Sequence, residues 1–153
     1  MRVVIGSDHA GFDQKQRLAQ HLTAAGVSVA DLGTADAEGS VDYPDFAIAV
    51  ARRVAAAEAD FGVLVCGTGI GMAIAANKVA GVRAANVTTP EFARLAREHN
   101  DANVVTVSAR FVPVQVNEEI VDAFLATPFA AGRHADRVAK ITAAEHQDTK
   151  SSE

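Results

Sequence analysis

The chain has 153 residues, of which 49% are hydrophobic and 22% charged, a balance typical of a folded globular protein and unlike that of a disordered chain. Its 14 basic and 19 acidic residues give a net charge of −5, without the basic excess that sequence-independent nucleic-acid binding requires. A single cysteine cannot form an internal disulfide, and the apolar runs are too short for a secretory signal or a membrane span. We therefore expect one cytoplasmic domain with no nucleic-acid or membrane partner.

Short β-branched runs alternate with alanine-rich segments of helical period, which predicts an α/β fold with a parallel sheet covered by helices on both faces. In chain order the predicted elements are strand Val3–Gly6, helix Phe12–Ala25, strand Val27–Leu32, helix Tyr43–Glu58, strand Phe61–Cys66, helix Ile70–Val79, strand Arg83–Val87, helix Pro90–His99, strand Val104–Val107, and helices Pro113–Ala126 and Gly132–His146. This gives a five-stranded sheet in a single domain over residues 1–146. Residues 147–153 have no apolar member and are expected to form a disordered tail.

Ligands of an open parallel sheet collect at the carboxyl ends of its strands, so the residues that follow each strand are site candidates. Asp8 and His9 follow the first predicted strand, Cys66 and the run Gly67–Gly71 end the third, and Arg110 follows the fifth. Because these strand ends lie along one edge of the sheet, we expect their side chains to share a cleft.

The run after Cys66 is a glycine-rich turn between a buried strand and a helix. Glycines at 67, 69 and 71 let the main chain approach a ligand closely, and amides at a helix start stabilise an anion or a developing oxyanion. The spacing is GxGxG with no GK[ST] after it, so both the dinucleotide fingerprint and the P-loop are poor matches. The alternative is a tight turn that binds nothing.

Cys66 stands at the strand end that faces this turn. A thiol near a helix N-terminus is favoured as a thiolate, which would supply a base or a nucleophile, whereas the alternative is a buried, inert cysteine. A cysteine phosphatase loop would carry an arginine where Met72 stands, and a receiver domain would carry an aspartate in place of Cys66. Both of these classes are therefore disfavoured.

Two pairs of residues suit proton transfer. Asp8 beside His9 pairs a carboxylate with an imidazole, although Asp8 also fits a plain helix-capping role. His99 and Asn100 end a predicted helix, where a histidine is favoured by the helix dipole and is commonly a surface residue. Taken alone, His99 is better explained as such a surface residue.

Arg133 and Arg137 lie one helical turn apart with His134 between them, so their guanidinium groups can share a helix face and bind a phosphate. A solvated basic face is the alternative. Four other arginines are expected to be solvated: Arg52, Arg53, Arg94 and Arg97.

Five motifs, in order, closely resemble the ribose-5-phosphate isomerase type B family, whose wider group includes the galactose-6-phosphate isomerase subunits. The motifs are GSDHAGF at Gly6–Phe12, DYP at Asp42–Pro44, CGTGIGMAIAANK at Cys66–Lys78, REHNDAN at Arg97–Asn103 and GRHADRV at Gly132–Val138. The resemblance runs from about Arg2 to Thr142 and implies a Rossmann-like αβα sandwich. It also implies a homodimer or tetramer with shared active sites, which interconverts D-ribose 5-phosphate and D-ribulose 5-phosphate without a metal or cofactor.

The resemblance implies roles for the candidate residues. Cys66 would be the general base of a cis-enediolate mechanism, assisted at the hydroxyl protons by Thr68. The negative charge would be held by the amides of Gly67, Gly69 and Gly71. Asp8 and the partner subunit's His99 would open the furanose ring. One branch of the family uses a glutamate in the loop instead of the cysteine, but Met72 and Cys66 place this chain with the thiol-using branch.

The remaining contacts to substrate are also implied by the resemblance. Tyr43 and Asn100 would contact the sugar. The phosphate would be bound by His9 from one subunit and by a basic group from the other, made of Arg110, Arg133 and Arg137 with His134 nearby.

Two alternatives stay open. The same isomerisation could act on allose 6-phosphate, galactose 6-phosphate or a tetrose phosphate, because pocket length decides the substrate. A nucleotide-binding module on the same fold would bind a ligand without turnover, and ATP or NAD, but not sugar phosphates, would then raise its thermal stability.

Overall fold

Five strands alternate with five helices along the chain, and a sixth helix follows, within residues 1–147, which are the residues that this computed structural model describes. In chain order they are β1 (Arg2–Ser7), α1 (Phe12–Ala24), β2 (Ser28–Asp31), α2 (Tyr43–Ala55), β3 (Phe61–Cys66), α3 (Ile70–Ala76), β4 (Ala84–Asn86), α4 (Pro90–Asn100), β5 (Val104–Ser108), α5 (Val114–Ala126) and α6 (Arg133–Gln147). The strands form one parallel sheet in the order β2-β1-β3-β5-β4. The predicted single-domain α/β fold with five parallel strands is confirmed.

The helices form a layer on each face of the sheet. Successive side chains of a strand point to opposite faces, so Ile5 of β1 packs with α1 and α5 while its neighbour Val4 packs with α2. The larger core lies under α1, α4 and α5 and includes Leu18 and Phe124. The smaller core lies under α2 and α3 and includes Met72. None of the helices within residues 1–147 is both long and apolar enough to cross a membrane.

Several element ends differ from the predicted ones for local reasons. Helix α2 ends three residues early because Ala57 has a φ of +57°, in the left-handed region. Helix α3 also ends three residues early, since the side chain of Asn77 exchanges two hydrogen bonds with the backbone of Ala84. Pro113 flanks α5 instead of starting it. Gln147 closes α6, and the rest of the predicted tail, residues 148–153, lies outside the described residues.

The prediction that Arg97 is solvated is wrong. Its side chain is on the buried face of α4, one turn after Ala93, and the residue is only 7% exposed. The guanidinium carbon lies 4.9 Å from the ring centre of Phe61 and 5.8 Å from that of Phe124. Arg52, Arg53 and Arg94 are exposed as expected.

Gly11 generates a prediction about packing. A Cβ atom added at Gly11 would lie 2.5 Å from the carbonyl oxygen of Val65 in the central strand β3, closer than any real contact. Gly11→Ala should therefore lower the free energy of unfolding by about 1–3 kcal/mol, as overpacking typically does. Urea denaturation would measure this change. The matched control is Gly39→Ala, whose added Cβ meets nothing within 4 Å. Equal stability of the two variants would contradict the packing argument.

Candidate active site

The thiol of Cys66 points at the glycine-rich turn. Alternation along β3 places Val63 and Val65 in the core under α1 and α5, and directs Cys66 to the face covered by α2 and α3. Because the chain turns into α3 just after Cys66, the Gly69 N–H donates a hydrogen bond to its Sγ at 3.0 Å. Cys66 is only 5% exposed. The sulfur is therefore buried, with a backbone amide as its partner.

The turn itself is held against β5 and β4. Gly69 has a φ of +81°, and an added Cβ would lie 2.4 Å from Oδ1 of Asn86, so only glycine fits this approach. The Thr106 hydroxyl donates to the Gly69 carbonyl at 2.8 Å, and the Ser108 hydroxyl donates to the Gly67 carbonyl at 2.7 Å. Sequence reasoning missed Thr106 and Asn86, because their part in the site depends on strand order.

Backbone N–H groups at the start of α3 lie next to the turn. Helix α3 begins at Ile70, and the first-turn amides of a helix, here including that of Gly71, have no carbonyl acceptor within the helix. The Thr68 hydroxyl oxygen accepts a hydrogen bond from the Ile70 N–H at 3.2 Å. With only seven residues in α3, these individual donors matter more than a helix dipole.

Tyr43 and Arg110 flank the turn. An added Cβ at Gly71 would lie 2.7 Å from the ring of Tyr43, which stands at the start of α2. An added Cβ at Gly67 would lie 3.1 Å from the guanidinium of Arg110. The backbone N–H of Arg110 donates to the Gly67 carbonyl at 3.0 Å. The turn thus has a phenol on one side and a cation on the other.

Asp8 and His9 lie on the same edge because β1 is the neighbour of β3. The Asp8 N–H donates to the carbonyl of Val65 at 3.3 Å, and its Oδ1 accepts the Gly11 N–H at 3.0 Å, so the carboxylate does stabilise the start of α1. His9 accepts the Val41 N–H at Nδ1 over 3.2 Å. A neutral His9 must then carry its proton on Nε2, which makes this nitrogen a donor.

A second polar group lies at the other end of the sheet. His99 and Asn100 close α4, next to the amino end of β5. The ring of His134 stacks on that of His99 with a centroid distance of 4.3 Å and an interplanar angle of 17°. Desolvation lowers the pKa of His134 from 6.5, and the charges of His99, Arg133 and Arg137 lower it further.

The single chain does not bring the two groups together. A five-residue strand is roughly 16 Å long, and β5 separates the turn at its carboxyl end from His99 at its amino end. The resemblance implies one phosphate-binding group of Arg110, Arg133 and Arg137, but within one chain Arg110 lies apart from the other two. Arg110 follows the carboxyl end of β5 and lies beside Gly67, whereas the other two are on α6 near the amino end.

The chemistry of the carboxyl-end group is that of anion binding and proton abstraction. It combines a thiol, several backbone N–H donors, a carboxylate, an imidazole and a guanidinium. Within residues 1–147, no three or more His, Cys, Asp and Glu side chains are grouped so as to hold a metal ion.

Comparisons with known proteins point to one family. The family model described as Ribose/Galactose Isomerase matches residues 3–141. Ribose-5-phosphate isomerase B of Escherichia coli (strain K12) is 45% identical over 146 residues, which cover 95% of this chain and 97% of that protein.

Solved structures give the same result. Ribose-5-phosphate isomerase B of Clostridium thermocellum aligns with a TM-score of 0.94 and 48% identity, over 96% of this chain and 99% of that one. The Mycoplasma genitalium ribose-5-phosphate isomerase B, solved with bound ribulose-5-phosphate, has a TM-score of 0.92 and 44% identity, over 95% of this chain and 97% of that one. The similarity therefore extends over nearly the whole chain.

The environment of His134 generates a prediction about its titration. Protonation of His134 is opposed by the nearby positive charges of Arg133 and Arg137. Arg133→Gln or Arg137→Gln should therefore raise the pKa of His134, while leaving it below 6.5 because desolvation is the larger cause. A pH titration followed by NMR would measure it, with the exposed Arg52→Gln as the control. A pKa of His134 that is unchanged or lower in the α6 variants would contradict the prediction.

Proposed function

The chain belongs to the ribose/galactose isomerase family, and from this we propose that it interconverts D-ribose 5-phosphate and D-ribulose 5-phosphate. The observation that carries the proposal is the hydrogen bond between the Gly69 N–H and Sγ of Cys66, inside an amide-lined turn at the carboxyl end of the sheet. The bound ribulose-5-phosphate of the Mycoplasma genitalium relative supports the choice of sugar.

The proposed chemistry moves one proton between two carbons. The Cys66 thiolate removes the C2 proton of the open-chain aldose, the C–H electron pair forms the C1–C2 double bond, and the carbonyl pair moves to O1. This gives a cis-enediolate. The hydroxyl proton on O2 then passes to O1 with the help of Thr68, and the Cys66 thiol returns its proton to C1, which leaves the ketone at C2. No oxidant or reductant is consumed.

The turn provides what this reaction needs. The N–H of Gly69 stabilises the negative sulfur, and the first-turn amides near Gly71 can stabilise the negative charge that develops on the sugar oxygen. Since these donors are held in place before substrate binds, we propose that the reaction needs no metal or cofactor.

We propose that a second copy of the chain completes the site. Asp8 lies at the carboxyl end of one sheet, and the partner subunit's His99 would reach it from the amino end of another, so that the two together open the furanose ring. Exposed apolar side chains of the kind found at interfaces support a dimer, or a pair of dimers. They are Ile70 and Ile74 on α3, Phe92 on α4 and Phe111 after β5.

The phosphate would be bound across the same interface. His9 offers its Nε2 proton, and Arg110 offers a guanidinium beside the turn. The partner subunit's Arg133 and the partner subunit's Arg137 would complete the anion site. Binding energy from a phosphate remote from C1 and C2 then holds the open-chain sugar in position for proton transfer.

The first test of the proposal is the loss of the base. Cys66→Ala should lower kcat for ribose 5-phosphate by about 100- to 10,000-fold, the usual contribution of general base catalysis, and should retain the fold. A coupled assay of ribulose 5-phosphate formation measures this, with circular dichroism for the fold. Met72→Leu is the control, because it changes a buried side chain of the same segment with little change in volume.

The same assay is run on allose 6-phosphate, galactose 6-phosphate and erythrose 4-phosphate. A faster wild-type reaction with one of these would replace ribose 5-phosphate as the substrate. Near-full kcat in Cys66→Ala would remove the thiol from the mechanism. Thermal stabilisation by ATP or NAD without turnover of any sugar phosphate would overturn the proposed activity.

The second test concerns the sharing of sites. Cys66→Ala and His99→Ala chains should each be inactive alone, because each lacks one half of every site. After random mixing, half of the dimers are mixed and each has one complete site, so about a quarter of the wild-type activity should return. Native mass spectrometry confirms that mixed dimers have formed. No recovery in their presence would show that the site lies within one chain.

A further inference from the structure

An ion network around the buried side chain of Arg97 lies beneath the end of α4, and no step of the proposed reaction uses it. Nη1 of Arg97 donates to Oδ1 of Asp101 at 2.8 Å and to the carbonyl of Ala102 at 2.6 Å. Its Nε donates to the carbonyl of Thr127 at 3.2 Å. A single guanidinium therefore binds both the turn that follows α4 and the segment that follows α5.

Arg83 binds the same turn from the other side. Its Nη2 donates to Oδ2 of Asp101 at 3.2 Å, and its Nε–H is shared between the carbonyls of Asn100 and Asp101, at 3.1 and 3.0 Å. The carboxylate of Asp101 thus bridges two arginines, and Asp101 itself has a left-handed φ of +47°. Together, the two arginines hold the carbonyls of residues 100, 101 and 102.

The network also ties the segment before α6 to α4. In addition to the bond from Arg97 to Thr127, the Ala130 N–H donates to the carbonyl of Glu98 at 3.1 Å. Residues 127–130 lead directly to Arg133 and to His134, whose ring stacks on His99. The relative placement of α6 and His99 therefore depends on these bonds.

Stability alone is a weak explanation for a buried arginine. Removing a guanidinium from water costs free energy. A protein with a well-packed apolar side chain at such a position is often at least as stable as one with the buried ion pair. Here the cation packs beside the rings of Phe61 and Phe124, where an apolar side chain could pack instead. A guanidinium offers what an apolar side chain lacks, namely several N–H donors in a fixed plane.

We propose that Arg97, through Asp101 and with Arg83, is a positioning residue that fixes His99 and Asn100 for opening of the sugar ring. This inference rests on the proposed function. Arg97 does not touch the substrate itself, because it is enclosed between α4, α5 and the sheet. It acts through the backbone that carries the two polar side chains.

The test separates ring opening from proton transfer. Ribose 5-phosphate is mostly a closed furanose and must be opened. Ribulose 5-phosphate stays open, because its C5 oxygen carries the phosphate and cannot close a ring. Exchange of the C1 hydrogen of ribulose 5-phosphate in D2O therefore reports the Cys66 step without ring opening. The variants are Arg97→Lys, which keeps the charge but not the planar donors, and Asp101→Asn, which keeps the shape and an acceptor oxygen.

We expect both variants to lower kcat for ribose 5-phosphate by about 10- to 100-fold, since a displacement of about 1 Å can cost that much. The exchange rate at saturating ribulose 5-phosphate should stay within about threefold of wild type. Arg94→Lys, an exposed arginine one turn earlier on α4, is the control and should match wild type in both measurements. If Arg97→Lys does not fold, the less buried Asp101→Asn decides the outcome.

Three other outcomes of the kcat and exchange measurements would contradict the proposal. Variants with wild-type kcat and a lowered melting temperature would show that the network is purely structural. An equal loss in kcat and in exchange would show that the whole site is disturbed, which also overturns the positioning role. A wild type that turns over no ribose 5-phosphate overturns the proposed function, and with it the role assigned to Arg97.

Discussion

A parallel sheet has two different ends, and the distribution of chemistry in this protein follows from that constraint. All strands start at one edge and finish at the other, so the residues after β1, β3 and β5 meet at one end while the end of α4 and the start of α6 lie at the opposite end. The thiol and the amide donors belong to the first end. The stacked imidazoles and two of the arginines belong to the second. Combining them in one site requires two chains, which is the basis of the proposed dimer.

The carboxyl end is built by close approach of backbones. Gly69 packs against Asn86. Hydroxyl groups of β5 donate hydrogen bonds to the carbonyls of Gly67 and Gly69 and so hold the turn against the sheet. The amino end is built differently, by long side chains that reach around a turn, as Arg83 and Arg97 do. In both places the supporting groups fix the main chain, and the main chain presents the reactive atoms. Such rigid placement is what electrostatic stabilisation of a transition state requires.

Much of this could be predicted from local sequence. Short β-branched runs and helical patterns indicate the eleven elements, and the glycine spacing after Cys66 indicates a turn between strand and helix whose position the structure confirms. Features that depend on distant partners could not be found this way. The burial of Arg97 depends on Phe61 and Phe124, far away in the sequence, and the early end of α3 depends on a bond from Asn77 to β4. The position of Arg110 is different, because it directly follows β5 and its place at the carboxyl end of the sheet is already indicated by the sequence.

The lengths of β3 and β5 determine where residues can be inserted into the chain without moving Cys66. A residue inserted into either strand would lengthen it by roughly 3.3 Å and reverse the facing of every later side chain, so Cys66 would point into the opposite layer. In a symmetric pair of chains, the reversed orientation of Cys66 would occur in both sites at once. Insertions are better tolerated at the exposed residues 35–40 between β2 and α2, where added residues change neither the spacing of the two ends nor the alternation of the strands.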